Sequence, residues 1–95
     1  MRLSYSQAAR RDLRSIYRTS AAQFGLGQAD AYRDGLLAAL TFCAENPRSV
    51  RETENLSRPI RVHPFRSHII AFMILEDSIL VVRILHSRQD LKRNL

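Results

Sequence analysis

Two apolar runs, His68 to Leu75 (HIIAFMIL) and Ile79 to His86 (ILVVRILH), are separated only by Glu76-Asp77-Ser78. Runs this rich in Ile, Val and Leu, broken by a short polar turn, read as the paired strands of a hairpin. Side chains alternate between faces along a strand. Ile69, Ala71, Met73 and Leu75 therefore point one way, and Ile70, Phe72 and Ile74 the other. Both faces of the resulting sheet are apolar, and each needs a cover.

The first half of the chain supplies one cover. Ser6 reads as an N-cap, and Ala9, Leu13, Ile16, Tyr17, Ala21 and Phe24 follow at spacings of three and four. That is one apolar stripe on a helix of about five turns, with Arg10, Arg11, Arg14 and Arg18 on the opposite arc. Gly25-Leu26-Gly27 permits a sharp reversal, and a second helix runs from about Gln28 to Asn46, stopped by Pro47. Its main stripe is Ala29, Tyr32, Leu36, Leu37, Leu40, Cys43 and Ala44; a smaller one holds Ala31, Gly35, Ala38 and Phe42. Two helices so closely joined form an antiparallel hairpin. With apolar residues on two sides, the second helix is expected between its partner helix and a sheet. The hairpin covers only one sheet face, so the other must meet the chain's own tail, a second copy or a partner chain. Apolar runs of this kind point to an obligate or near-obligate partner.

Residues 2–5 alternate and make a short opening strand, Ile60 to His63 another, and 47–57 is a polar loop. The expected fold is α+β, ordered β-α-α-β-β-β, with the helical hairpin on a small antiparallel sheet. Residues 1–95 form a single domain, with no internal repeat or linker, and strand order is left open.

The chain carries fifteen basic and nine acidic residues, a net charge of +6, and fourteen of the fifteen bases are Arg. Guanidinium suits phosphate, carboxylate and aromatic partners. The charge is uneven: residues 7–46 carry a net +1 and residues 58–95 a net +4. Such a field points to an anionic partner, nucleic acid or acidic protein. The single Cys43 leaves no disulfide framework or cysteine zinc site, and a cytoplasmic location is expected. Its place on the apolar stripe makes it a small buried hydrophobe. No run reaches a membrane span, and none of the three glycines lies in a phosphate loop.

Several segments resemble one known family. Ala9-x-x-Asp12-Leu13-x-x-Ile16-Tyr17 is similar to the opening helix of ParE-type toxins of bacterial toxin–antitoxin pairs. Gln28-Ala29-x-x-Tyr32 and Glu45-Asn46-Pro47 resemble the second helix and its end. Most specific is Arg83-Ile84-Leu85-His86-Ser87-Arg88-Gln89-Asp90-Leu91, and His68 opens the third strand as in the family. Two positions depart from its pattern: Arg48-Ser49-Val50 stands where a Gly usually follows Asn-Pro, and Phe72 replaces a frequent Tyr.

The resemblance implies a RelE/ParE-like fold and a toxin that inhibits DNA gyrase. It also implies neutralisation by a ParD-type antitoxin and no cofactor. DNA would be met only through the antitoxin or gyrase, and no membrane is involved. The RelE branch of the superfamily instead cuts messenger RNA in the ribosome, and that is the alternative. An RNase without a metal needs a base, an acid and cations. His86 with Arg61, Arg66, Arg83 and Arg88 could supply them, with His63 and His68 in the same half. The plainer reading is that His86 ends a strand, and the ParE branch lacks the nuclease set. No residue is therefore assigned as catalytic or as a metal ligand; His63 and His68 have no nearby carboxylate.

Candidate target-binding residues are Arg61, Arg66, Arg83, His86, Arg88, Asp90, Lys92 and Arg93, with Arg88 to Leu95 the segment tied to toxicity. Antitoxin-binding candidates are Arg10, Arg14 and Arg18 on the helix face and Ile70, Phe72 and Ile74 on the sheet. Alternation puts Arg83 on one face with Ile79, Val81 and Leu85, so it is either ion-paired, with Asp90 the obvious partner, or placed at a functional surface.

Overall fold

The structure is a computed structural model describing residues 1–54 and 56–95. Strand β1 (Arg2–Tyr5) leads into helices α1 (Gln7–Phe24) and α2 (Leu26–Glu45). A 3-10 turn at Pro47–Ser49 precedes strands β2 (Arg61–Phe65), β3 (His68–Ile74) and β4 (Ser78–His86), and a short helix α3 (Leu91–Asn94) follows. The sheet order is β1-β4-β3-β2. β2, β3 and β4 are antiparallel as expected, whereas β1 joins β4 in parallel, pairing Arg2 with Ser78 and Tyr5 with Val81. A parallel partner needs a crossover, and here most of the chain provides it.

Ser6 joins strand to helix. Its hydroxyl accepts the Ala9 amide at 2.9 Å, capping α1, and donates to the Val82 carbonyl at 2.7 Å. The reversal between the helices takes a single residue, shorter than the three expected, and α2 starts at Leu26. Gly25 has φ +88°, a conformation that costs a side-chain-bearing residue but not glycine, and its amide bonds the Ala21 carbonyl at 3.0 Å. The flanking Phe24 and Leu26 are 66% and 67% exposed, so Phe24 lies outside the buried stripe assigned to it. Leu37 also emerges, at 42%.

The main core packs Ala9, Leu36, Leu40, Cys43 and Ala44 of the helices onto Ile70, Phe72, Ile79, Val81 and Ile84. Burial pushes the Cys43 thiol up to about 11. The second apolar face of α2 is met in part by β2. The ring of Phe65 lies so close to Gly35 that a Cβ there would sit 2.7 Å from it, and Phe42 stacks on His63 at 5.2 Å. Ala31 and Ala38 are exposed.

The opposite sheet face has its own small core: Ile60, Ala71 and Val82, with Leu56, Val62, Met73, Leu91 and Leu95 packed around them. Of the three covers open to the sequence, the tail, with the loop before β2, supplies this one, so the second apolar face is not the mark of an obligate partner that the sequence suggests. The register of β3 on β4 slips at Ala71/Phe72, which pair with Arg83 and Val81 and leave Val82 between them. This bulge breaks the alternation. Arg83 consequently does not share a face with Val81, and Ile84 joins the main core instead.

Candidate functional site

β1 ends at Tyr5, so the β4 edge beyond Val81 has no strand beside it. Asp12 of α1 fills that place. Its carboxylate accepts the Ile84 amide at 2.9 Å and the Arg83 guanidinium through two bonds, Nε–Oδ2 at 2.8 Å and Nη2–Oδ1 at 3.0 Å. The third arm of Arg83, Nη1, donates to the Asn94 carbonyl at 3.0 Å. Arg83 thus ties helix, strand and tail together, and its hydrogen bonds to Asp12 push its already high pKa further up. The partner is Asp12, not Asp90: the bulge sets Arg83 opposite Ala71, on the face the tail covers, and Asp12 meets it at the open β4 edge. Asp90 instead caps α3, accepting the Lys92 amide at 3.0 Å.

Arg61 is likewise structural, donating to the Val50 carbonyl at 2.6 Å and lying 3.8 Å from Glu52. Arg88, Lys92 and Arg93 are exposed on the tail. Ile70 and Phe72 have no exposed surface to offer a partner, and Ile74, partly buried, packs against the same core. Their side chains face the helical hairpin, and the alternation left open which sheet face that would be.

Two grooves remain. The first, of about 510 Å³, runs between α1 and α2 and is floored by Leu13, Ile16, Ala29 and Leu36, with Tyr17, Tyr32 and Leu37 beside them. Arg14, Arg18 and Arg33 stand along its rim. Tyr17 donates to Asp30 at 2.6 Å, which raises its pKa, and Arg33 lies over the Tyr17 ring at 5.2 Å. Arg10 lies elsewhere, 5.8 Å over Tyr5.

The second groove, of about 630 Å³, lies between the hairpin and the end of the sheet where β2 turns into β3. Arg66, Ser67, His68, His86 and Gln89 line its sheet side. His68 and His86 are cross-strand partners with ring centroids 5.5 Å apart. His68 Nδ1 shares a 2.7 Å hydrogen bond with the Tyr32 hydroxyl, and His86 Nδ1 accepts the Arg88 amide at 3.1 Å. A backbone N–H can only donate, so neutral His86 carries its proton on Nε2. Burial lowers the His68 pKa, the neighbouring His86 lowers it further, and Asp12 opposes both. Arg66, in a left-handed turn conformation at φ 51°, rests its guanidinium 5.5 Å from the Phe65 ring and 6.0 Å from Tyr32.

This arrangement presents donors. Neutral His86 can donate a hydrogen bond from Nε2 while its Nδ1 lone pair is engaged by the Arg88 amide, and the one carboxylate lining the groove, Asp12, is engaged by Arg83. Among the described residues no cluster of three potential metal ligands occurs, and no helix is long and apolar enough to cross a membrane.

Residues 3–91 match the family described as ParE toxin of type II toxin-antitoxin system, parDE. The chain belongs to the ParE toxin family. Toxin ParE1 of Mycobacterium tuberculosis, in strains CDC 1551 / Oshkosh and H37Rv, is 34% identical over 91 residues, covering 95% of this chain and 93% of the relative. The fold is shared with a solved structure titled "Chromosomal ParDE TA system from P. aeruginosa", with TM-score 0.79 and 16% identity over 90% of this chain and 95% of that one. The motifs now have physical roles in this ParE-family toxin. Ala9 lets α1 approach the sheet, Asp12 closes the β4 edge, and Leu13 and Ile16 enter the core. Tyr32 braces His68. By spacing alone the groove residues Tyr32, Phe24 and Leu37 belong to the core stripes; the hydroxyl of Tyr32 inside an apolar stripe is the one signal that sets it apart.

Proposed function

We propose that this chain inhibits DNA gyrase and is neutralised by a ParD-type antitoxin. The observation carrying this reading is membership of the ParE toxin family, together with a groove whose one lining carboxylate is held by Arg83 and whose His86 Nδ1 is engaged by a backbone amide. Inhibition by binding asks for exposed charge and not for an acid–base pair. Arg88, Lys92 and Arg93 supply that charge on a tail fixed to the body by Arg83. Arg66 and His86 extend it toward the turn before β3. The antitoxin reading rests on the apolar inter-helix groove with its rim of arginines. An acidic amphipathic segment would bury apolar side chains on Leu13, Leu36 and Leu37 and pair with Arg14 and Arg18. Arg10 would extend that pairing along α1.

The test is to incubate the purified chain with gyrase and plasmid. Supercoiling should stop, linear DNA should accumulate, and premixed antitoxin should abolish both effects. Unimpaired supercoiling at a molar excess of toxin would sink the gyrase reading. The cytoplasm is the compartment this function requires.

A further inference from the structure

The gyrase reading uses only the charge of Arg66 and His86 at the sheet end, and the groove there combines further features. The Nδ1 atoms of both His68 and His86 are already bonded, so the ring nitrogen left free on each is Nε2. Arg66 forms no ion pair among the described residues and is held over two aromatic rings. Gln89 Oε1 accepts the His86 amide, which leaves its NH₂ group to donate. The hydroxyls of Ser15, Thr19 and Ser20 line the helix side. The lining carboxylate, Asp12, is saturated by Arg83 and the Ile84 amide. A groove with donors in excess takes an anion. A metal is disfavoured, because the free nitrogen of neutral His86 already holds a proton.

What kind of anion follows from Phe24. It lines the same groove yet is 66% exposed, an aromatic ring at the edge of a cationic trough. A cationic channel with an aromatic platform is how proteins hold unpaired nucleotides: the phosphate meets the charge and the base stacks on the ring. An acidic peptide would use the cations but gain little from Phe24. A duplex has its bases stacked internally and leaves none for the ring. We propose that this groove binds a segment of single-stranded nucleic acid, with a phosphodiester at Arg66, His68 and His86 and a base against Phe24.

The test is fluorescence anisotropy on the full chain with labelled oligouridylate and oligothymidylate, which separate RNA from DNA as the source. Unlabelled duplex and polyglutamate serve as competitors. At least one single strand should bind saturably, with duplex and polyglutamate competing weakly. Phe24→Ser and Arg66→Ala should each loosen binding about five- to tenfold. Phe24 is exposed, so its loss leaves the fold intact, and circular dichroism checks each variant. Arg48→Ala removes an exposed charge outside the groove and should change little. Absence of saturable binding would overturn the proposal. So would equal losses in Arg48→Ala and Arg66→Ala, efficient displacement by polyglutamate, or indifference to Phe24→Ser. Gyrase plays no part in the titration, so it fails or succeeds separately from the supercoiling assay.

Discussion

Asp12 and Arg83 lie 71 residues apart in sequence and meet through two nearly parallel hydrogen bonds of 2.8 and 3.0 Å. Because the same carboxylate also accepts the Ile84 amide, a helix side chain does the work of a missing edge strand.

Asp12→Ala should therefore be among the most destabilising polar substitutions in the chain. It strands a half-buried guanidinium and an edge amide together, a loss of about 2–4 kcal/mol. Asp12→Asn keeps an acceptor and should lose less. Urea denaturation of both, with Arg83→Met and the double variant, gives the coupling energy. Additive losses would show that the pair contributes nothing beyond its separate parts.

Charge reversal on the inter-helix rim should separate neutralisation from toxicity. Arg14→Glu with Arg18→Glu is expected to slow association with an acidic antitoxin at least tenfold at low salt, with a smaller effect at high salt. Both residues are exposed, so stability should barely move. Stopped-flow association rates at two salt concentrations provide the measurement.

His68 makes stability depend on pH in mild acid. Its folded pKa is depressed, chiefly by burial. As pH falls below the ordinary histidine value of about 6.5, the unfolded chain takes up a proton that the folded one resists. Stability present above that value is then lost until the folded pKa is reached. The melting temperature should fall between neutral pH and pH 5.5, and His68→Gln should flatten that slope. An unchanged slope in the variant would assign the acid sensitivity elsewhere.

Gly25→Ala tests the one-residue reversal between α1 and α2. No atom lies within 4 Å of a Cβ built there, so any loss comes from the backbone at φ +88° alone. The expected cost is on the order of 1–2 kcal/mol, read as a shift in the urea midpoint. Gly27→Ala is the contrast: it sits inside α2 with open space around it and should be neutral or stabilising.

The helical hairpin was legible because its apolar spacing and the Ser6 cap are local signals. The β3–β4 hairpin was legible for the same reason. Three features were not. The parallel seat of β1 depends on which edge of the sheet stays open, and a four-residue strand carries no mark of that. The slip at Val82 arises from fitting β4 to β3, and it moved Arg83 away from the face that alternation gives it. Asp12 then became its partner across a distance that spacing cannot reveal. The second core shows a different limit: both sheet faces were read as apolar, but Leu91 and Leu95 lie in a charged tail whose two leucines reveal their purpose only once folded.

The order of strands in the sheet also governs timing. β4 is the last of the four strands to be made, yet it lies inside the sheet and is the strand that β1, the first, must pair with. No early segment can complete the sheet, and α1 waits with its carboxylate uncommitted until Arg83 arrives. Closing so distant a contact is slow compared with forming a local hairpin. For seconds of translation the nascent polypeptide therefore lacks the sheet and the groove that lies against its end. On the proposed reading, an antitoxin made alongside it would have that interval in which to be present before the sheet and tail are in place.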